Sequence, residues 1–161
     1  KKLIIIKEKE MIRKTGLLFI LLCSLAIPNE QQAIIQSLEN YNKAFGEGNY
    51  SKIINSFDLP AVFILNDKTI TASGKFKLKL IYKKIRGDLP DYYAYSKWDD
   101  INIEIFDDKI AIANASYSRY NSDGEIFFTG SAQYHLRLKD NEWKIFALTP
   151  FETIKKLPKN E

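Results

Sequence analysis

Cysteine, histidine and methionine are nearly absent from this chain, which has one of each among 161 residues. A single cysteine cannot form an internal disulfide, and a single histidine cannot build a His-rich metal site. Zinc fingers, Cys-ligated clusters and metalloenzymes with two His ligands are therefore excluded, and we expect no metal. Glycine and proline are also few, with seven and five residues. That composition is not collagenous or low-complexity.

Hydrophobic residues make up 45% of the chain and aromatic residues 13%, which is ample for one packed domain. No glycine-rich phosphate loop, Ser–His–Asp set or paired-carboxylate motif is visible. We therefore expect no cofactor. The sequence assigns no reaction, and we favour a protein that is not an enzyme.

The net charge of +4 and the pI of about 9.0 raise nucleic acid as a partner. The excess is confined to residues 1–26, which hold six Lys or Arg and two Glu. Residues 27–161 hold eighteen basic and eighteen acidic side chains. We therefore predict no nucleic-acid partner.

Residues 1–26 have the pattern of a secretory signal. Arg13 and Lys14 precede the uncharged, mostly apolar run 16–26, and Ser24 and Ala26 supply small residues for cleavage after Ala26. A core helix or a short membrane anchor is the alternative, but about a dozen apolar residues fall short of the ~20 that span a bilayer. We predict an exported protein, periplasmic or secreted, with no stable membrane span after cleavage.

Two details of the leader bear on the domain boundaries. Met11, the only methionine, directly precedes the basic pair and is the possible true start. Lipidation at Cys23 is less favoured, because Leu22 stands where a small residue is expected. We predict a leader over 1–26, one domain over 27–152 and a frayed tail over 153–161.

Three helices are predicted in the first half of the domain. The first follows a capping residue, Asn29, and carries a periodic apolar stripe. Its members are Ile34, Leu38, Tyr41 and Phe45. The second covers 50–57, and the third runs from a Ser73 cap to Arg86 with Phe76, Leu80 and Ile81 on its apolar face.

Strands account for the rest of the domain. A strand over 61–65 precedes an Asn66-Asp67 turn, and four more follow residue 100 with turn residues between them. These four run around 101–105 and over 110–120, 126–139 and 143–148. Helices followed by a meander of antiparallel strands predict an α+β fold.

Two short stretches resemble a known superfamily. Residues 41–50 (YNKAFGEGNY) resemble its first-helix ending, and Trp143-Lys144-Ile145 resembles its last strand. Arg119-Tyr120 with Asp123-Gly124 resembles the central hairpin of uncharacterised members. The superfamily is that of nuclear transport factor 2 (NTF2)-like proteins, which includes SnoaL-like cyclases and ketosteroid isomerases. The similarity covers about residues 30–152.

The resemblance implies a cone-shaped, curved antiparallel sheet packed on three N-terminal helices around a central apolar pocket. It also implies a homodimer formed through the outer face of the sheet. His135 and Arg137 share that face by strand alternation. Because this fold hosts enzymes and non-enzymes alike, the resemblance does not assign an activity.

Catalysis of the ketosteroid isomerase type would use Tyr41, which stands seven residues before Gly48 as the oxyanion-stabilising tyrosine of those enzymes does. It also requires a carboxylate base, and Asp67 is the nearest acid to the strand on which the family carries it. We favour the interpretation that Tyr41 is a core residue and that Asp67 is a solvated turn residue.

Five residues are predicted to bind a ligand in the pocket: Tyr41, Trp98, Tyr117, Arg119 and Tyr134. Arg119 could bind a carboxylate at the pocket mouth, although an ion pair with a neighbour such as Glu125 is the favoured alternative. The basic run 75–86 is interpreted as a solvated helix face, with nucleic acid or anionic lipid as the alternatives.

The sequence thus predicts an exported domain that binds a small hydrophobic ligand or serves an accessory role. The first alternative is an isomerase, dehydratase or cyclase that uses Tyr41 and a pocket acid. The second is a protein-interaction module that dimerises through the outer sheet face.

Overall fold

The computed structural model of the chain describes residues 29–151. The predicted leader, its cleavage near Ala26, the start at Met11, Cys23 and the tail 153–161 lie outside the described residues. Within residues 29–151, no helix is long and apolar enough to cross a membrane.

Within residues 29–151 there are three helices: α1 (Glu30–Gly46), α2 (Tyr50–Asn55) and α3 (Lys75–Gly87). Helix α1 begins at the predicted cap, where the Asn29 side chain accepts a hydrogen bond from the Gln31 backbone N–H. Its predicted apolar stripe is buried and faces the sheet. The amphipathic pattern therefore located this helix and its inner face.

In the described part of the chain, six strands form one curved, unclosed sheet in the order β2-β1-β6-β5-β4-β3. The strands are β1 (Phe57–Ile64), β2 (Thr69–Ala72), β3 (Tyr93–Asp107), β4 (Ile110–Asn121), β5 (Ile126–Lys139) and β6 (Glu142–Phe151). The last four form the predicted antiparallel meander, and β1 adds to it parallel to β6. The α+β prediction is confirmed, and the sheet is mixed because of that one parallel pair.

The boundary between α2 and β1 differs from the prediction. Helix α2 ends at Asn55, and Phe57 already belongs to β1. Phe57 is buried as predicted, but it belongs to a strand and not to the helix. The Ile145 N–H donates to the carbonyl of Ser56 (2.9 Å), and this hydrogen bond holds the segment against β6. Strand β2 was not predicted, since its four residues, Thr69–Ala72, carry too short a pattern.

Strand β3 begins at Tyr93, eight residues before the alternation at Ile101 that predicted it. Its pairing with β4 shifts register between Tyr93 and Tyr95 and again between Trp98 and Asp100. Each irregularity reverses which side chains face the core, so the period-2 pattern disappears from the sequence although the strand continues.

Helix α3 is rotated relative to the prediction. Leu78 and Tyr82 form its buried face, whereas the side chains of Phe76 and Leu80 are 75% and 49% exposed. Its cap also differs, since Gly74 rather than Ser73 precedes the first turn. The basic residues are solvent-exposed, as the solvated-face interpretation expects; they are Lys75, Lys77, Lys79, Lys83 and Lys84.

Arg86 of α3 binds the C-terminal end of α1. Its Nη1 donates to the carbonyls of Phe45 (2.6 Å) and Gly46 (3.1 Å), and the guanidinium stacks over the rings of Phe45 and Tyr93. Gly48 permits this approach, because it has a φ of +65° and a Cβ there would lie 3.3 Å from Arg86 Nη2. A cation at this end of a helix also complements the helix dipole.

Asp58 is buried at the start of β1 and anchors two cations of β5. Its carboxylate accepts from Lys139 Nζ (2.5 Å) and Arg137 Nη1 (3.0 Å), while the cations remain about half exposed. The hydrogen bond from Lys139, helped by that from Arg137, lowers the pKa of Asp58 below its ordinary value of 3.8. The folded protein therefore stabilises the ionised form.

We predict that Arg86→Met lowers the free energy of unfolding by about 2 kcal/mol, because two charge-assisted hydrogen bonds to α1 are lost. Urea denaturation measures the change. Lys84→Met is the matched control: among residues 29–151, Lys84 pairs only with exposed Asp88, which directly follows the helix, and we expect a loss below about 0.5 kcal/mol. Equal effects of the two substitutions would contradict the capping role.

We predict that Asp58→Asn lowers the free energy of unfolding by about 1–2 kcal/mol at neutral pH. A lowered folded-state pKa contributes stability above the unfolded-state value of 3.8, and this stability is lost as the pH falls through the folded-state value. The difference between wild type and variant should therefore shrink below pH 3.8. Urea titrations across this range measure it, with Asp88→Asn as the control; a difference independent of pH would contradict the ion pairs.

Candidate functional site

A cavity of about 230 Å³, partly open to solvent, lies between α1, α3 and the inner face of the sheet. Aromatic and aliphatic side chains dominate its walls. The lining residues are Tyr41, Asn42, Phe45, Phe63, Leu65, Tyr82, Ile85, Ser96, Trp98, Tyr117, Arg119, Ala132, Tyr134, Leu148 and Pro150. The cavity is therefore mostly apolar, with a few polar groups at defined positions.

All five residues predicted to bind a ligand line this cavity: Tyr41, Trp98, Tyr117, Arg119 and Tyr134. They come from α1, β3, β4 and β5, and strand alternation correctly placed those of β4 and β5 on the inner face. The structure brings these residues together, and their role in binding a ligand stays a prediction.

Three tyrosines pack together at the inner end of the cavity. Tyr82 donates a hydrogen bond to the hydroxyl of Tyr41 (3.0 Å), and the Tyr134 ring meets that of Tyr41 edge to face. Burial raises the pKa of Tyr41 to about 12 and those of Tyr82 and Tyr134 well above 10. All three phenols are therefore neutral at physiological pH.

Tyr82 was missed by sequence reasoning. Its spacing from Leu78 and Ile85 matches a helical face, but this signal competed with the stripe of Phe76 and Leu80. Only the packing of α3 against the other elements distinguishes the two faces.

Arg119 projects into the cavity from β4. Its guanidinium carbon lies 4.9 Å from the ring centre of Phe128, 5.4 Å from that of Tyr117 and 5.9 Å from that of Phe45. The predicted ion pair with Glu125 is absent among residues 29–151: the Glu125 carboxylate instead accepts from Asn121 Nδ2 (2.9 Å). Aromatic rings, rather than a carboxylate, thus surround this cation.

Two buried donors at the cavity have no hydrogen-bond partner in the described part of the chain: Arg119 Nε and Trp98 Nε1. Buried polar atoms of folded proteins are nearly always paired, so each unpaired donor calls for an explanation. Asn42, another buried polar side chain of the cavity wall, is paired, since its Nδ2 donates to the carbonyl of Ser96 (3.0 Å).

Asp67, the predicted alternative base, lies on the exposed turn between β1 and β2. Its side chain is 72% exposed and pairs with Lys68. It does not line the cavity, and neither does any other acidic residue of the described range 29–151. The arrangement therefore does not bring Tyr41 together with a carboxylate.

The outer face of the sheet carries a separate polar group of residues. His135 Nε2 lies 3.1 Å from Gln133 Oε1, and Arg137 stacks over the ring of Phe146. Burial lowers the pKa of His135 below 6.5, so the imidazole is neutral at pH 7. This confirms the predicted orientation of His135 away from the cavity, whereas dimerisation through this face stays a prediction.

From residue 29 to residue 151, no group of three or more His, Cys, Asp or Glu side chains is placed to hold a metal ion.

The architecture is shared with several solved structures. An NTF-2 like protein of unknown function from Shewanella oneidensis has a TM-score of 0.61 and 17% identity, covering 76% of this chain and 98% of that one. A protein of unknown function with a cystatin-like fold from Nostoc punctiforme has a TM-score of 0.64 and 9% identity, covering 74% and 88%. A ketosteroid isomerase-like protein from Erwinia carotovora atroseptica has a TM-score of 0.54 and 15% identity, covering 73% and 92%.

The TM-scores show a common fold despite these low identities, that of the NTF2-like cone. The chain belongs to the NTF2-like protein family DUF6841, whose signature matches residues 29–153. The resemblance predicted from the sequence is thereby confirmed. No protein of curated function matches the sequence.

We predict that Gly130→Ala disturbs the cavity wall. A Cβ on Gly130 would lie 2.8 Å from Tyr117 Oη and from Phe128 Cε1, so the Tyr117 ring must move. We expect a loss of about 1–3 kcal/mol in the free energy of unfolding and altered fluorescence of Trp98, whose ring meets Tyr117 at 6.1 Å. Gly87→Ala is the control, since nothing lies within 4 Å of a Cβ there; an unaltered Trp98 signal would contradict the contact.

Proposed function

We propose that this domain binds a small, mostly apolar molecule in its central cavity without transforming it. The observation that carries the proposal is the cavity itself: about 230 Å³ of partly open space, walled mainly by aromatic and aliphatic side chains. Pockets of this kind, apolar with a few placed polar groups, are the usual sites of small ligands.

The volume limits the size of the ligand. A cavity of about 150 Å³ can hold benzene, and drug-sized ligands generally occupy about 300–1,000 Å³. The cavity of this domain falls between the two. A molecule of one or two rings, or a short branched chain of similar bulk, fits this volume.

The composition of the cavity wall favours ligand binding over isomerase, dehydratase or cyclase chemistry. An enolising isomerase needs a carboxylate or another base within hydrogen-bond reach of the substrate proton. Asp67 is on the exposed turn, and the cavity-lining residues of the range 29–151 include no acid. Tyr41 and its neighbours supply neutral hydroxyls, which can orient a polar group of a ligand.

The proposed site of action is outside the cytoplasm, because residues 13–26 have the pattern of an export signal. An apolar cavity together with an export signal suits a carrier or sensor of a small apolar molecule in an extracytoplasmic compartment.

We predict that filling the cavity abolishes binding. Ala132 lines the cavity and is buried, so Ala132→Leu should occupy ligand space. Naphthamide, a neutral two-ring probe, is titrated calorimetrically into wild type and variant; we expect at least about a tenfold loss of affinity, because the added methyl groups exclude part of the ring.

Ala94→Leu is the matched control, because Ala94 is exposed on β3 and does not line the cavity. Circular dichroism establishes that both variants are folded. Unchanged naphthamide binding by folded Ala132→Leu, or a wild type that binds neither naphthamide nor the matching acid naphthoate, would overturn the proposal.

A further inference from the structure

The cavity contains a cation that nothing in the described chain neutralises. Arg119 is half-buried and forms no ion pair among residues 29–151, and its Nε is buried without a hydrogen-bond partner. Taking a charged group out of water is unfavourable unless the group is paired and hydrogen-bonded. An anionic group on the ligand would neutralise this guanidinium and accept the unused hydrogen bond.

Aromatic rings hold the guanidinium but leave its donor unused. The faces of Phe45, Tyr117 and Phe128 lie within 6 Å of the guanidinium carbon. Cation–π contacts offset part of the lost hydration, yet they accept no conventional hydrogen bond. The rings therefore fix the orientation of Arg119 and leave Nε for another acceptor.

The second unpaired donor, Trp98 Nε1, lies on the same face of the sheet. In the pairing of β3 with β4, Trp98 is opposite Tyr117 and Ser96 is opposite Arg119. Arg119 and Trp98 are thus diagonal neighbours, a relation in which long side chains come within reach of each other. Both lie beside the Tyr117 ring, at 5.4 Å and 6.1 Å from its centre.

We infer that the ligand is a small apolar carboxylate, whose carboxylate group accepts hydrogen bonds from Arg119 Nε and Trp98 Nε1. Both donor atoms are covered in this structure, so entry of the ligand must displace the side chains that cover them. This inference rests on the proposed function and names the class of molecule that the cavity takes. A guanidinium edge and an indole N–H are donors only, so they match a carboxylate, which in its ionised form only accepts.

The remainder of the cavity supports the same class of ligand. The wall residues of the described chain include no carboxylate to repel an anion. The hydroxyls of Tyr41, Tyr82 and Tyr134 are neutral, and around them the wall is apolar. An aromatic acid, with its ring toward the tyrosines and its carboxylate toward Arg119, satisfies both parts of the site.

The test compares two probes of nearly equal shape, naphthoate and naphthamide, by calorimetric titration of the full chain at neutral pH. We expect naphthoate to bind about 10- to 100-fold more tightly, the range that a charge-assisted hydrogen bond confers. Arg119→Met should remove this preference, so that naphthoate binds no more tightly than naphthamide to the variant. Trp98→Phe should weaken naphthoate by about fivefold, because a neutral donor contributes less.

Lys97→Met is the matched control, because Lys97 is an exposed cation of β3 that stacks on Tyr95 and Tyr120 and does not line the cavity. It should keep the full preference for naphthoate. If Arg119→Met fails to fold, Arg119→Lys replaces it and should lose most of the preference, since an ammonium lacks the planar edge.

The outcomes separate the inference from the proposed function. Tight naphthoate binding that depends on Arg119 supports both. Equal binding of naphthoate and naphthamide by wild type overturns the carboxylate inference and leaves the proposed function standing. Binding of neither probe overturns both, and a preference retained in folded Arg119→Met places the anion elsewhere and overturns the inference.

Discussion

The hydrogen bond from Tyr82 to Tyr41 joins the two helices that close the cavity, and the organisation of the site depends on it. Tyr41 comes from α1 and Tyr82 from α3, and both rings pack against Phe57 of β1. Such a buried pair satisfies polar groups that would otherwise be unfavourable in an apolar interior. Both tyrosines line the cavity, so their hydrogen bond holds together two parts of its wall that come from different helices.

Charged side chains near the outer face of the sheet are paired, whereas Arg119 on the inner face has no anionic partner among residues 29–151. Near the outer surface, Asp58 is buried but fully paired with Lys139 and Arg137, so the ion pairs serve the fold. In the cavity, Arg119 has aromatic neighbours and no anion among the described residues, so its charge contributes little to stability. Folded proteins commonly tolerate an unsatisfied polar group where function requires it. The contrast supports the proposal that the cavity, rather than the Asp58 cluster, is a binding site.

The helices and the C-terminal meander could be predicted because their patterns are local. The stripe of α1 and the alternation in β4 and β5 place Tyr41, Tyr117 and Tyr134 correctly on the inner side. Prediction failed where non-local contacts override the pattern. Register shifts hide the start of β3, and α3 exposes Phe76 while it buries Tyr82. Two apolar stripes compete on that helix, and only its neighbours decide which one is buried.

The sequence by itself determined the fold class, the inner faces of β4 and β5 and five of the residues that line the cavity. It could not determine the partner of Arg119, because Glu125 is near in sequence and an exposed ion pair is the ordinary expectation for such neighbours. Tertiary structure decided otherwise: the inward side of β4 carries Arg119 toward the cavity, and Glu125 pairs with Asn121 in the hairpin. The direction of a side chain in a strand follows from the local alternation, but the residues that it meets on that side come from segments far apart in the chain.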